Sequence, residues 1–274
     1  MNILVTLDRN YLMPFEVMLC SLLINHPGET MDVYLISQDV TQADLCAAQH
    51  LCARFGARLH LIGVGEDCFC GAPTLRYYSR AMYYRLLAAQ LLPKELDRIL
   101  YLDPDILVIG SLRALYDMPM GDHLYAAAMH AGLINLSGPV NHIRLQNYDS
   151  KGYYNSGVLL MNLEAARREV RTEDILAYVE ENRSILILPD QDVLNGLYGA
   201  RILPIDECLY NYDARKYREY LLASQGQKDM RWVAAHTAVV HFCGKKKPWN
   251  SRYRGRFALL YRHYMQLTRR YALQ

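Results

Sequence analysis

The chain has 274 residues, enough to bury one large core with a small appendage. Its 52% hydrophobic and 21% charged residues are those of an ordinary soluble globular protein, and no apolar stretch reaches the 18 residues of a membrane span. The net charge of +2 conceals an asymmetry: residues 1–229 hold 20 basic and 28 acidic side chains, whereas the remainder holds 10 basic and no acidic ones. An acidic body with a basic end suggests a separate task for that end. The apolar run at residues 3–7 is too short for a signal peptide. The 7 cysteines include no CxxC pair and are read as free thiols of a reducing cytosol. The 22 tyrosines against 5 phenylalanines supply apolar area with a polar handle, suited in part to lining a sugar or nucleotide cleft.

In chain order, residues 2–7 form a first predicted strand, with Asp8, Asn10 and Tyr11 in the loop at its carboxyl end. Pro14 suits the first turn of a helix that stops at His26-Pro27-Gly28. A second strand at 32–37, a capped helix from Thr41 to about Gly56 and a third strand at 58–64 follow. This β-α-β-α-β order predicts an α/β fold with a mostly parallel sheet and helices on both faces. A loop at 63–74 leads to a helix at 77–92, with Arg85 on it. Residues 97–109 read as a buried strand that meets Asp103-Pro104-Asp105 at its carboxyl end, after which the chain turns apolar again. A helical turn at 112–116, a strand at 124–129 and a long loop or lid at 130–151 come next. A buried strand at 153–162, a helix at 172–182 and a short helix from Asp190 to Tyr198 lead into a mixed region, 201–231, with no assigned elements. A short strand at 239–242 and a terminal helix at 255–271 complete the chain.

Chemistry concentrates at Asp103 and Asp105. Two carboxylates at the end of a buried strand are costly to desolvate without a positive partner. Strand spacing puts them on one side, about 6–7 Å apart at Cα, within reach of one divalent cation. In open α/β sheets, ligands gather at the carboxyl ends of strands. The bland alternative is an Asp-Pro turn with Asp105 as a cap. Partners come from four further segments. Asp8, Asn10 and Tyr11 end the first strand. Asn155-Ser156-Gly157 interrupts an apolar run, where a glycine permits close backbone approach. Asp190-Gln191 opens a helix, where Asp190 also suits an N-cap. His241 ends a strand and is followed by Gly244 and the lysine triplet 245–247, which ordinarily forms a solvated face.

The segments TLDRNY, SRAMYYRL, YLDPDILV, YYNSGVLLMN, LPDQDVLN and HFCGKKKPW, in this order, resemble glycosyltransferase family 8, which includes bacterial lipopolysaccharide galactosyl- and glucosyltransferases and glycogenin. The resemblance covers about residues 2–250. It implies a Rossmann-like nucleotide-diphospho-sugar transferase (GT-A) fold. The activity implied is retaining transfer of glucose or galactose from UDP-glucose or UDP-galactose to a saccharide acceptor of a lipopolysaccharide or other cell-surface glycan. It implies Mn²⁺, with Mg²⁺ as a substitute, held by Asp103, Asp105 and His241. Tyr11 would stack on the uracil, with Asp8 and Asn10 on the base and ribose. Arg85, Asn155, Gly157, Asp190 and Gln191 would surround the sugar, Asp190 and Gln191 being the catalytic candidates. Gly244 and Lys247 would hold the phosphates. Thr6, Pro104 and Ser156 complete the implied donor site.

The physical logic stands beside the resemblance. A metal and a lysine neutralise charge developing on a departing diphosphate. Carboxylate oxygens with one imidazole suit Mn²⁺ better than Ca²⁺. The anomeric centre becomes cation-like, so oxygens of Asp190 or Gln191 would help on that face. Residues 1–249 are read as the catalytic unit and 250–274 as a basic, aromatic helical tail. The tail suits an anionic membrane surface, on a protein expected in the cytoplasm, and contains no recognisable nucleic-acid module. The rivals are a haloacid-dehalogenase-type phosphatase, which also has two aspartates after a strand, and a non-catalytic nucleotide-sugar-binding protein.

Overall fold

A computed structural model describes residues 1–65, 83–129, 145 and 150–272. Seven strands form the central sheet: β1 (Asn2–Thr6), β2 (Asp32–Ser37), β3 (Arg58–Gly63), β4 (Arg98–Leu102), β6 (Tyr125–Met129), β7 (Tyr154–Asn162) and β8 (Ile202–Ile205). Their order across the sheet is β3-β2-β1-β4-β7-β6-β8. Pairing is parallel except for β7, which runs antiparallel to both β4 and β6. The expected mostly parallel sheet is therefore present, with one reversed strand in its middle.

Both faces of the sheet are covered, and the strands alternate between two cores. Ile3, Val5, Val33, Leu35, Leu100 and Leu102 pack on one side with α1 (Leu12–Ile24) and α2 (Cys46–Phe55). Leu4, Tyr34, Ile36, Ile99, Tyr101 and Leu159 pack on the other with the helices Leu163–Glu169, Thr172–Glu181 and Pro189–Tyr198. Each fully buried aliphatic side chain contributes about 1.5–3 kcal/mol. Gly56 closes α2 at φ 73°, the left-handed conformation that favours glycine.

Three local expectations change. The run 97–109 is two strands: after β4 the Asp-Pro-Asp turn breaks the chain away, and β5 (Ile106–Val108) joins a second, three-stranded sheet. There it pairs antiparallel with β10 (Val239–His241), which pairs parallel with β9 (Tyr212–Asp213). Proline has no N–H to donate to a ladder, which favours the break at Pro104. Arg85 lies in a turn between residues 83–84 and the helix Ala88–Leu91, while the first part of the expected 77–92 helix falls outside the described residues. The loop expected at 63–74 lies largely outside them, as does most of the 130–151 loop. The mixed region contains β8, β9 and the helices Glu207–Tyr210, Tyr217–Ala223 and Met230–His236.

The C-terminal helix, Ala258–Ala272, packs on α1 and α2. Tyr261 and Thr268 are buried against the body, whereas Arg262, Arg269 and Arg270 are exposed. Among the described residues no helix is long and apolar enough to cross a membrane.

Candidate active site

The two sheets meet at the acidic pair. The Asp103 amide donates to the Gly157 carbonyl at 2.8 Å, carrying the β4–β7 pairing one residue past the strand. Ile106 lies opposite His241 in the small sheet, and the Phe242 amide donates to the Asp105 carbonyl at 3.1 Å. These backbone registers place His241 Nε2 at 3.2 Å from Asp105 Oδ1 and 3.7 Å from Asp103 Oδ2. One ligand atom from each of the three residues lies within 4.8 Å of the others. Gly157 makes the approach possible: a Cβ there would sit 2.3 Å from His241 Cε1 and 2.7 Å from Asp103 Oδ2.

The imidazole is oriented from behind. His241 Nδ1 is 2.8 Å from Asn211 Oδ1, so Nδ1–H donates to the amide oxygen and Nε2 faces the carboxylates. This is the tautomer a metal ligand needs. Burial pulls the His241 pKa down, but Cys243 and Asp105 outweigh it and hold the ring's pKa well above its ordinary value. Burial likewise raises the Asp105 pKa, and His241 and Lys247 overcome it, holding the carboxyl below its usual range. Two carboxylates and one imidazole nitrogen, with a partner on the ring's far side, fit a divalent ion of the Mn²⁺ or Mg²⁺ type. A divalent ion held there would displace the Nε2 proton.

Lys247 settles the lysine triplet. Lys245 and Lys246 are exposed, but the Lys247 ammonium donates to Asp105 Oδ2, and to the Phe242 carbonyl at 3.1 Å. The sharp turn before it rests on Gly244, at φ 83°, where a Cβ would meet Arg215 Nη1 at 2.6 Å. Trp249 brings the end of the same segment against Tyr11, ring centroids 5.8 Å apart and edge to face. At the carboxyl end of β1, Asp8 accepts from the Asn10 amide at 2.9 Å, while Asn10 itself is exposed. Thr6 Oγ1 lies 3.4 Å from the Tyr101 hydroxyl.

On the other side of the acidic pair lies a buried polar network. Arg85 Nη1 is 2.9 Å from Asp103 Oδ1 and 3.4 Å from Asp190 Oδ2, and donates to the Ser156 carbonyl at 3.0 Å. Its guanidinium lies 4.5 Å from the Tyr101 ring centre. Burial disfavours the charge, but Asp103, Tyr101 and Asp190 outweigh it and raise the arginine's pKa. Ser156 Oγ donates to Asp190 Oδ2 at 3.0 Å, and Asn155 Nδ2 to Gln191 Oε1 at 3.3 Å. Gln191 Nε2 is buried with no partner among the described residues. An orphaned buried donor beside a candidate metal site is suited to a ligand oxygen.

Asp190 is not the helix cap. Leu188 holds the cap position with no side-chain bond, and Asp192 in the first turn ties down the preceding chain, its Oδ2 accepting from the Ile187 and Leu188 amides at 2.6 and 3.0 Å. Asn195 bolts the same helix to β7 through the Tyr154 amide and carbonyl, at 2.7 and 2.8 Å. Asp190 and Gln191 are thereby held against Ser156 and Asn155. Asp103, Asp105, His241, Lys247, Arg85, Asn155, Ser156, Gly157, Asp190 and Gln191 thus share one region, with Pro104 in the turn between the carboxylates.

The glycosyl transferase family 8 profile matches residues 2–252. The chain belongs to glycosyltransferase family 8. It is 27% identical to general stress protein A of Bacillus subtilis over 98% of this chain and 94% of that protein. It is 27% identical to a lipopolysaccharide 1,2-glucosyltransferase of Escherichia coli K12, covering 91% of this chain and 73% of that one. The crystal structure of the galactosyltransferase LgtC with donor and acceptor sugar analogues superposes with a TM-score of 0.80, at 26% identity, over 97% of this chain and 96% of that one. The GT-A fold expected from the resemblance is therefore present, and the protein is a glycosyltransferase acting on a nucleotide-sugar donor and a saccharide acceptor. Family membership removes the phosphatase and non-catalytic alternatives.

Two residues of this family 8 site went unread in the sequence. Tyr101 donates to Asp103 at 2.5 Å, and burial keeps its phenol protonated by raising its pKa. Its signal was available: it precedes Asp103 by two residues, and alternate positions of a strand share a face. Asn211 lies in a segment with no recognisable pattern and carried no such signal.

Proposed function

We propose that the protein transfers glucose or galactose, with retention, from UDP-glucose or UDP-galactose to a saccharide of a lipopolysaccharide or other surface glycan. The observation that carries this reading is the convergence of Asp103, Asp105 and a tautomer-fixed His241 beside Lys247 and the Asp190–Gln191 helix end. Asp103, Asp105 and His241 would hold Mn²⁺, with Mg²⁺ as a substitute. A divalent ion bound there would supply charge neutralisation for the leaving diphosphate.

This chain's own groups supply the rest. Lys247 and Gly244 receive the phosphates, Lys247 adding a second positive point. Tyr11, packed edge-on by Trp249, offers its ring to the uracil. Thr6, Asp8 and Asn10 lie at the base and ribose end. Arg85 fixes Asp103 and Asp190 together, and the free Gln191 N–H donates to a sugar hydroxyl. Asp190 is engaged by Ser156 and Arg85, which favours a positioning role over attack at the anomeric carbon. We therefore favour front-face substitution, the leaving phosphate taking the acceptor's proton. Residues 1–249 are the proposed catalytic unit. Through the exposed Arg262, Arg269 and Arg270 of its helix, the 250–274 extension is proposed to attach the protein to the cytoplasmic face of an anionic membrane.

UDP release from UDP-glucose and UDP-galactose, with and without Mn²⁺ and across an acceptor panel, tests the reaction. Metal-dependent release from one donor is expected. Equal release after chelation, or a glycosyl adduct trapped on Asp190, would overturn the metal role or the front-face step respectively. Pelleting with anionic vesicles at low salt should be lost in Arg262→Gln/Arg269→Gln/Arg270→Gln; unchanged pelleting refutes the attachment.

A further inference from the structure

A cavity of about 900 Å³ borders the proposed donor-phosphate site, sharing Gly244 and Lys247 with it, and its walls carry eight lysines and arginines and no carboxylate. Among the described residues, Arg218, Lys245, Lys246 and Arg252 have no acidic partner. Arg254 donates only to the Ser251 and Tyr253 carbonyls, and Arg256 lies over the Tyr217 ring at 4.1 Å. Arg215 and Lys247 are the exceptions, Arg215 held by the buried Asp213 at 2.6 Å and Lys247 by Asp105. Cations crowded around one concavity repel one another, and acidic side chains neutralise only two of the eight here. Such an arrangement focuses positive potential on a space of ligand size.

The concave shape argues for an anionic group that enters the cavity, rather than for contact with a flat charged surface. Guanidinium groups match phosphate oxygens two at a time, and Tyr217 and Tyr253 add rings against which a sugar face can pack. Because the Lys247 ammonium is held by Asp105 and the Phe242 carbonyl, a ligand in the cavity lies next to the proposed donor phosphates. We infer that this cavity binds the phosphate of a phosphorylated saccharide, so that the acceptor is an anionic sugar rather than a neutral one. This rests on the proposed transfer from a nucleotide sugar and names its acceptor class.

The test titrates galactose 6-phosphate and galactose into the full chain by calorimetry, with UDP and Mg²⁺ present and again without them. The phosphorylated sugar should bind and the neutral sugar should not. Arg218→Gln/Arg252→Gln should weaken that binding at least tenfold. Arg269→Gln/Arg270→Gln removes the same charge outside the cavity and should leave binding unchanged. Equal affinity for both sugars, or equal losses in the two double variants, would overturn the inference. So would absent sugar-phosphate binding with phosphatidylglycerol-vesicle pelleting that depends on Arg218 and Arg252, which would give the cavity to lipid headgroups. Titration with UDP and Mg²⁺ separates the two readings. If UDP does not bind, the donor assignment fails, while the UDP-free titration still decides the cavity.

Discussion

Gly157→Ala is the smallest change that should dismantle the site without touching a ligand. Gly157 has an ordinary backbone conformation, so alanine meets no φ strain there, and the effect is purely steric. The added Cβ would lie 2.3 Å from His241 Cε1 and 2.7 Å from Asp103 Oδ2. Carbon contacts settle near 3.5 Å, so the imidazole must retreat by about 1 Å. That motion opens the 3.2 Å approach of Nε2 to Asp105 and strains the Asn211 hydrogen bond. Overpacking of this kind costs about 1–3 kcal/mol of stability. Losing the alignment of a metal-ligating histidine costs about 10–100-fold in metal affinity, and a misplacement of about 1 Å costs about 10²-fold in turnover. Urea unfolding and calorimetric Mn²⁺ titration in the presence of UDP measure both effects. A folded variant with Mn²⁺ affinity and turnover within about twofold of wild type would refute the reasoning.

Asn211→Ala should lower Mn²⁺ affinity about 10–100-fold by freeing the imidazole tautomer, and Asn211→Asp, which restores an acceptor, should recover most of it; equal losses in both variants would exclude the tautomer role. Burial raises the Cys52 thiol to about 12, so the folded chain keeps a proton that the unfolded chain loses above about pH 8.5. Stability is therefore fully present below that pH and declines as pH rises toward the folded value, by about 1.4 kcal/mol per unit. Relative to Cys52→Ala, the wild type should lose about that much between pH 9 and pH 10 in denaturant titrations, and parallel curves would contradict it. Tyr261→Ala should cost about 3–5 kcal/mol, because this fully buried side chain seats the C-terminal helix; a shift below about 1 kcal/mol would mean the helix is not integral to the core.

The strands of the large sheet were legible because both of their faces are buried, leaving near-continuous apolar runs such as Val33–Ile36 and Val158–Met161. That same uniformity hid the direction of β7: with no polar face, nothing in its residues distinguishes a parallel from an antiparallel neighbour. The break at Pro104 was visible as a motif, but not as a change of sheet, since β5 pairs with β10 from a segment far along the chain. Region 201–231 resisted reading because its elements are short; β9 has only two residues and forms through its pairing with β10 rather than through local propensity. At the site, Asp103 and Asp105 declared themselves by the cost of burying two charges. His241 gained meaning only from the ordered set of segments. The role of Asn211 emerges only once folding brings β10 beside it.

Crystals grown with UDP and Mn²⁺ and measured at the manganese absorption edge would test the central assignment most directly. One anomalous peak bonded to Asp103, Asp105 and His241 Nε2, beside the diphosphate and Lys247, is the expected result. A peak held by other residues, or UDP bound with no manganese between those three side chains, would contradict it.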